Sequence, residues 1–287
     1  MKAQYFQPLS GKKVKCQLCP HNCIIADKNT GRCRVRKNID GILYSENYAF
    51  PVAINIDPVE KKPLYHFLPG SKTFSFGCAG CNLCCHFCQN SSISQISVDE
   101  VRPYKMSPNQ IVDQAIKNNC ESISFTYSEP TVFYEMMIDT AILAKSSGLK
   151  TIFVSNGYIN NEPLLNLTKF IDAANIDIKA YIDDFYNKYT GSSLLPVLET
   201  VKILKQQRVH LEITNLIIPG LNDSLEDIEK LILWIKENCG TETPLHFSRF
   251  FPHYKMADFK PTPISTIKRA RDIALKSGVQ FAYMGNI

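Results

Sequence analysis

Ser122-Ile123-Ser124-Phe125-Thr126-Tyr127 puts small polar side chains at alternate positions and Ile123, Phe125 and Tyr127 between them. Side chains alternate across a strand, so this run has one apolar face for packing and one polar face. A parallel strand covered by helices on both sides should be apolar on both faces. The same parity returns in His210-Leu211-Glu212-Ile213-Thr214, in Ile176-Asp177-Ile178-Lys179, and in His246 and Ser248. Several strands that are each polar on one face fit a barrel with a polar ligand inside. In α/β folds that ligand sits at the carboxyl ends of the strands.

Outward from this run, β-rich stretches recur at 73–77, 122–127, 151–154, 175–180, 210–216 and 245–250, with helical patterns between them. Ser107-Pro108 reads as an N-cap followed by an N1 proline, with Ile111, Ala115 and Ile116 on the apolar face. A helical pattern over 131–147 stops at Gly148. Asp223 or Ser224 caps a helix whose Leu225, Ile228, Leu231, Ile232 and Ile235 form one stripe, and another helix runs over 264–276. Alternating strands and helices mean parallel βαβ units. The expected fold is α/β, a partial (β/α)6 TIM-like barrel over 71–287, after a cysteine-containing extension over 1–70.

The chain's 287 residues, 45% hydrophobic and 21% charged, exclude a disordered or collagen-like protein. No apolar run approaches the roughly 18–20 residues that cross a bilayer, and the start lacks a signal-peptide core. A cytoplasmic protein without membrane attachment is expected. In that reducing setting, eleven cysteines point to metal rather than disulfides. Cys120 and Cys239 stand apart and read as small buried hydrophobes.

Five of the cysteines fall in Gly77-Cys-Ala-Gly-Cys-Asn-Leu-Cys-Cys-His-Phe-Cys-Gln-Asn90. Three ligand sets fit the spacing. Cys81, Cys85 and Cys88 form C-x3-C-x2-C, three thiolates that leave one iron of a [4Fe–4S] cube open. Cys78, Cys81, Cys84 and Cys88 form the spacing of a ferredoxin run, although Gln89 stands where that run has proline. Four of the five could instead close a structural zinc site.

With Phe87 before its last cysteine, this loop resembles the radical S-adenosylmethionine (SAM) signature. Around it, DPVEKKPLYHFLPG, FTYSEPTVFYE, VSNGY, AANIDIKAYIDDFY, EITNLIIPGLNDS, LHFSRFFPHYKM and YMGNI resemble the AmmeMemoRadiSam-system radical SAM enzymes, relatives of the pyruvate formate-lyase activating enzyme. The resemblance runs from about Cys16 to the last residue. It implies Cys81, Cys85 and Cys88 as ligands of a [4Fe–4S] cluster and Phe87 near the adenine of SAM. Glu129 matches the last residue of the family's Gly-Gly-Glu motif, with Tyr127-Ser128 in place of the glycines, and would meet the SAM amino group. By the same resemblance Ser155, Asn156, Asp177, Lys179 and His246 surround SAM. Glu212, Thr214 and Asn215 are expected in the same cavity, and Tyr65, His66, Arg249, His253, Tyr254 and Lys255 against substrate.

The implied activity is reductive cleavage of SAM to methionine and a 5′-deoxyadenosyl radical that abstracts hydrogen from a substrate, by analogy a protein. AmmeMemoRadiSam partner proteins and an electron donor are implied as well. A glycyl-radical activase is the enzymatic alternative. The alternative of another class is a non-catalytic iron–sulfur or zinc protein that docks RNA or a partner protein. Residues 1–40 carry a net charge of +7 against +5 for the whole chain. A solvated surface around a metal knuckle explains that excess, and nucleic acid is not expected as a partner. Cys16, Cys19, Cys23 and Cys33 form a possible second metal site, for zinc or an auxiliary cluster.

Overall fold

A computed structural model describes residues 1–287. Its main sheet has eight strands in sequential order, β1 (Pro51–Pro58), β2 (Lys72–Cys78), β3 (Ser122–Phe125), β4 (Lys150–Ser155), β5 (Ala173–Asp177), β6 (His210–Ile217), β7 (Leu245–Arg249) and β8 (Ala282–Gly285). β2 to β8 are parallel, while β1 joins antiparallel to β2. The edges β1 and β8 do not pair, so the barrel is partial and open. Helices α1 (Pro108–Lys117), α2 (Tyr134–Ser146), α3 (Asn161–Leu167), α4 (Leu195–Gln206), α5 (Leu225–Cys239) and α6 (Ile264–Lys276) make the six crossovers. The parallel run has one strand more than the six read from the sequence. β1 also lies within the segment expected as an extension.

Strand parity positions the interior. Asn55 pairs with Ser75 and Asp57 with Thr73, while Thr73 and Ser75 pair with Ser122 and Ser124. Paired residues share a face, so these polar side chains form one inward surface. Phe76 and Phe125 take the other face, with ring centroids 5.5 Å apart. Ser107 caps α1 by accepting from Gln110 N–H, and Ser224 caps α5 by accepting from Asp227 N–H. Ile116 and Leu225, expected on the buried stripes of these helices, are half exposed instead. Each sits at the margin of its helix's apolar arc, where the neighbours leave it in water. The pattern over 131–147 begins with a 3-10 turn, Pro130–Phe133, before α2 takes over.

The amino-terminal segment folds as a small three-stranded sheet and a two-stranded hairpin. Its anchor is Arg36, whose Nη1 reaches both oxygens of Glu135 on α2 at 3.0 and 3.1 Å, with both side chains fully buried. The segment after β1 crosses the amino-terminal mouth of the barrel. Glu212 Oε1 and Oε2 accept the backbone N–H groups of His66 and Tyr65 at 2.8 and 3.1 Å. Asn175 Nδ2 donates to Pro63 O, and Val59 and Leu64 pack with Ile152 and Ala173. Residues 59–70 thus plug that end and leave the carboxyl end for chemistry.

Candidate active site

A cavity of about 500 Å³ opens at the carboxyl ends of the strands. Cys81, Cys85 and Cys88 line one wall, on the loop after β2, and Phe87 reaches the cavity between them. Phe87 is buried against Phe185, with centroids 5.8 Å apart. The other two loop cysteines do not line the cavity. Cys84 Sγ donates to Thr190 O and accepts from Arg32, and Cys78 is buried in the end of β2. Three soft sulfur donors on one wall, with two more turned elsewhere, suit an iron–sulfur group held at three corners. Burial pushes the Cys85 thiol up to about 12 and Cys81 well above its ordinary value, with Lys179 opposing the rise at Cys85. A metal bound there would displace the thiol protons.

Glu129 faces this wall from the turn after β3. Its Oε1 accepts from Thr131 N–H at 3.0 Å, Thr131 Oγ1 at 2.7 Å and Ser155 Oγ at 2.7 Å. Oε2 accepts only from Asn156 N–H, at 2.9 Å. Each carboxylate oxygen has about two acceptor sites, so Oε2 has room for one more donor. Burial raises the Glu129 pKa, and the hydrogen bonds from Thr131, Asn156 and Ser155 oppose the rise. Asn156 Nδ2 in turn donates to Asn82 Oδ1 at 2.9 Å and lies 3.8 Å from Cys81 Sγ. The carboxylate and the cysteine wall are therefore joined by one hydrogen-bonded path.

Asp177 ends β5, and Lys179 lies just past the strand, not within it as expected, yet both line the cavity. Lys179 Nζ donates to Asp177 Oδ2 at 2.5 Å. Burial lowers the lysine pKa, but the charges of Asp177 and Cys85 outweigh it and raise it overall. Thr214 and Ser248 also line the cavity.

His246 does not. It is the second residue of β7, its Nε2 lies 2.7 Å from Glu212 Oε2, and it stacks on Tyr283 at 5.2 Å. Glu212 belongs with it at the plugged end. Asn215 is spent on Ile178 O, and Tyr65, His66, Arg249, His253, Tyr254 and Lys255 also lie outside the lining. The ring of residues expected around SAM is thus gathered except for His246.

Sequence reasoning missed a further part of the lining. Asp57, Lys61 and Lys62 line the cavity, with Asp57 Oδ2 2.7 Å from Lys62 Nζ and 2.6 Å from Tyr127 OH. Tyr127 holds a left-handed backbone at φ 67°. A Cβ at Gly77 would collide with Thr126 O, so glycine there lets this turn lie close over β2. The clue in the sequence was Tyr127 standing where the family's motif has glycine, whose conformation it adopts at a cost of about 1–3 kcal/mol.

The radical SAM superfamily model matches residues 77–235. Uncharacterized protein MJ0808 from Methanocaldococcus jannaschii is 45% identical over 285 residues, 99% of this chain and 85% of that protein. The pyruvate formate-lyase-activating enzyme of Clostridium pasteurianum is 28% identical over 213 residues, 71% of this chain and 84% of that one. A radical SAM methyltransferase from Sphaerobacter thermophilus shares the fold, with a TM-score of 0.59 at 16% identity over 76% of this chain and 67% of that one.

Proposed function

This chain belongs to the radical SAM superfamily, and from that premise we propose that it cleaves SAM reductively at Cys81, Cys85 and Cys88 to abstract hydrogen from a protein substrate. The observation that carries the reading is the division of the loop: these three cysteines line the cavity while Cys78 and Cys84 do not. Cys81, Cys85 and Cys88 would hold a [4Fe–4S] cluster by three thiolates, and such a group would supply an open iron site for the amino and carboxylate groups of SAM and the electron for reductive cleavage of the sulfonium C–S bond. Glu129 receives an N–H of the SAM amino group on its free Oε2 site, with Ser155 and Asn156 fixing the Glu129 carboxylate. Lys179, oriented by Asp177, faces the SAM carboxylate, and Phe87 covers the adenine. The barrel plug at 59–70 closes the far end to water.

Likeness to an activating enzyme supports a protein substrate. AmmeMemoRadiSam proteins are the proposed partners, with an electron donor still required. A glycyl-radical activase is the second reading, favoured by the same relative. Co-expression with a candidate radical enzyme and a search for its glycyl signal by electron paramagnetic resonance separates the two.

The primary test is anaerobic reconstitution with iron and sulfide, reduction in the presence of SAM, and assay of 5′-deoxyadenosine. Cys85→Ala should abolish formation of 5′-deoxyadenosine, and Cys84→Ala should leave most of it. The reverse order would mean the ferredoxin-like ligand set and would end this reading.

A further inference from the structure

Four of the cysteines outside the active-site cavity gather at a second place. Cys16, Cys19, Cys23 and Cys33, distant from one another in sequence by up to 17 positions, line one small cavity of about 20 Å³ together with Arg36. None of them is in a disulfide. The turn that carries three of them is tight. Cys16 N–H donates to Cys23 O at 2.9 Å and Asn22 N–H to Cys19 O at 3.0 Å, with Asn22 left-handed at φ 44°.

Arg36 is an independent sign. Its Nη1 is spent on Glu135 and its Nη2 on Gln4 O, but its buried Nε has no partner. A buried donor left without an acceptor is costly. Arg36 lines the same small cavity as the four cysteines, whose thiolates would serve its free donor.

We propose that Cys16, Cys19, Cys23 and Cys33 bind one zinc ion as a closed four-thiolate site that braces the loop bearing Cys81, Cys85 and Cys88. The space matches about one water-sized sphere, enough for a single ion and far too little for four irons and four sulfides. Zinc in tetrahedral sulfur coordination fits the donor set. The four sulfurs do not yet close around one point. The same holds for Cys81, Cys85 and Cys88. Binding replaces up to four thiol protons, and the resulting double negative charge meets Arg36 and the basic surface of residues 1–40.

The brace is visible in the contacts. Gly80, left-handed at φ +95°, packs so closely on Cys33 O and Val35 that a Cβ would not fit. The ring nitrogen His21 Nε2 lies 2.8 Å from Asn82 O. Arg32 Nη2 lies 3.6 Å from Cys84 Sγ. Zinc held by residues 16–33 would therefore stiffen both flanks of the Cys81 turn.

Elemental analysis of the anaerobically purified protein should find about one zinc per chain. A Cys81→Ala/Cys85→Ala/Cys88→Ala variant should keep that zinc while losing its iron, which separates this site from the proposed reaction. Cobalt(II) in place of zinc should give the intense visible absorption of a tetrahedral four-thiolate site, and Cys19→Ser/Cys23→Ser should lose the ion. Should that double variant fail to fold, the wild type and the triple variant still decide. Iron and sulfide retained by the triple variant would overturn zinc in favour of a second cluster. Wild-type protein without zinc, whose four thiols react freely while it stays folded, would overturn the site itself.

Discussion

Glu129 shows what one residue must do in this cavity. It is a buried carboxylate with three donors on one oxygen and one on the other, so its remaining capacity is a single directed acceptor. A hydrogen bond to a charged group contributes about 1.5–3 kcal/mol, which sets the expected effect of Glu129→Gln at roughly a 10- to 100-fold loss of SAM affinity. Equilibrium binding of SAM to the reconstituted protein measures it. The sign with pH follows from the raised pKa of Glu129. Only the ionised carboxylate is a pure acceptor for that N–H, so affinity should be complete once pH lies above the Glu129 pKa. It should fall as pH drops through that raised value, earlier than an ordinary glutamate would allow. In Glu129→Gln this dependence should disappear; if it persists unchanged, another group holds the SAM amino end.

At the scale of elements, the least expected arrangement is the plug. Residues 59–70 have no strand or long helix of their own, and side chains of the barrel hold their backbone: Asn175 of β5 at Pro63 O, and Glu212 of β6 at two N–H groups. Burial would push Glu212 up, but hydrogen bonds from His210, His246 and the N–H groups of His66 and Tyr65 hold it at about 2. A carboxylate depressed below its ordinary 4.5 contributes stability that is complete above that value and is lost as pH falls toward 2. Glu212→Gln turns an amide N–H toward groups that are already donors, and should cost about 2–4 kcal/mol. Thermal melts should show a lower midpoint at neutral pH and a flatter decline between pH 4.5 and 2. Limited proteolysis should cut first within 59–70. This element also explains what the sequence hid. Alternation correctly separated polar from apolar faces in β3, β5, β6 and β7, because that pattern belongs to each strand alone. It could not say at which end of the barrel a polar residue lies. His246 and Ser248 share a face, but two residues along β7 carry one to the plug and the other to the cavity.

The whole molecule joins an amino-terminal segment poor in regular structure to the barrel, and the joint was not legible in the sequence. Local motifs such as the cysteine loop and Ser107-Pro108 are read from neighbours, whereas Asp57 with Tyr127 and Arg36 with Glu135 meet across 70 and 99 positions. β1 escaped notice for the same reason, since an edge strand is defined by its partner. The Arg36–Glu135 pair puts this dependence to the test. Both side chains are 1% exposed. Two buried charges cost several kcal/mol each to desolvate, so losing one partner exposes that cost in full. Glu135→Leu alone should therefore destabilise by about 3–5 kcal/mol. Arg36→Met/Glu135→Leu should recover most of the loss, because it removes both charges and keeps apolar volume. Urea unfolding of the wild type, both single variants and the double variant closes the cycle, with a coupling of at least about 2 kcal/mol expected. Equal and additive losses would mean that the segment is held by its apolar contacts alone, with the ion pair a passenger in the joint.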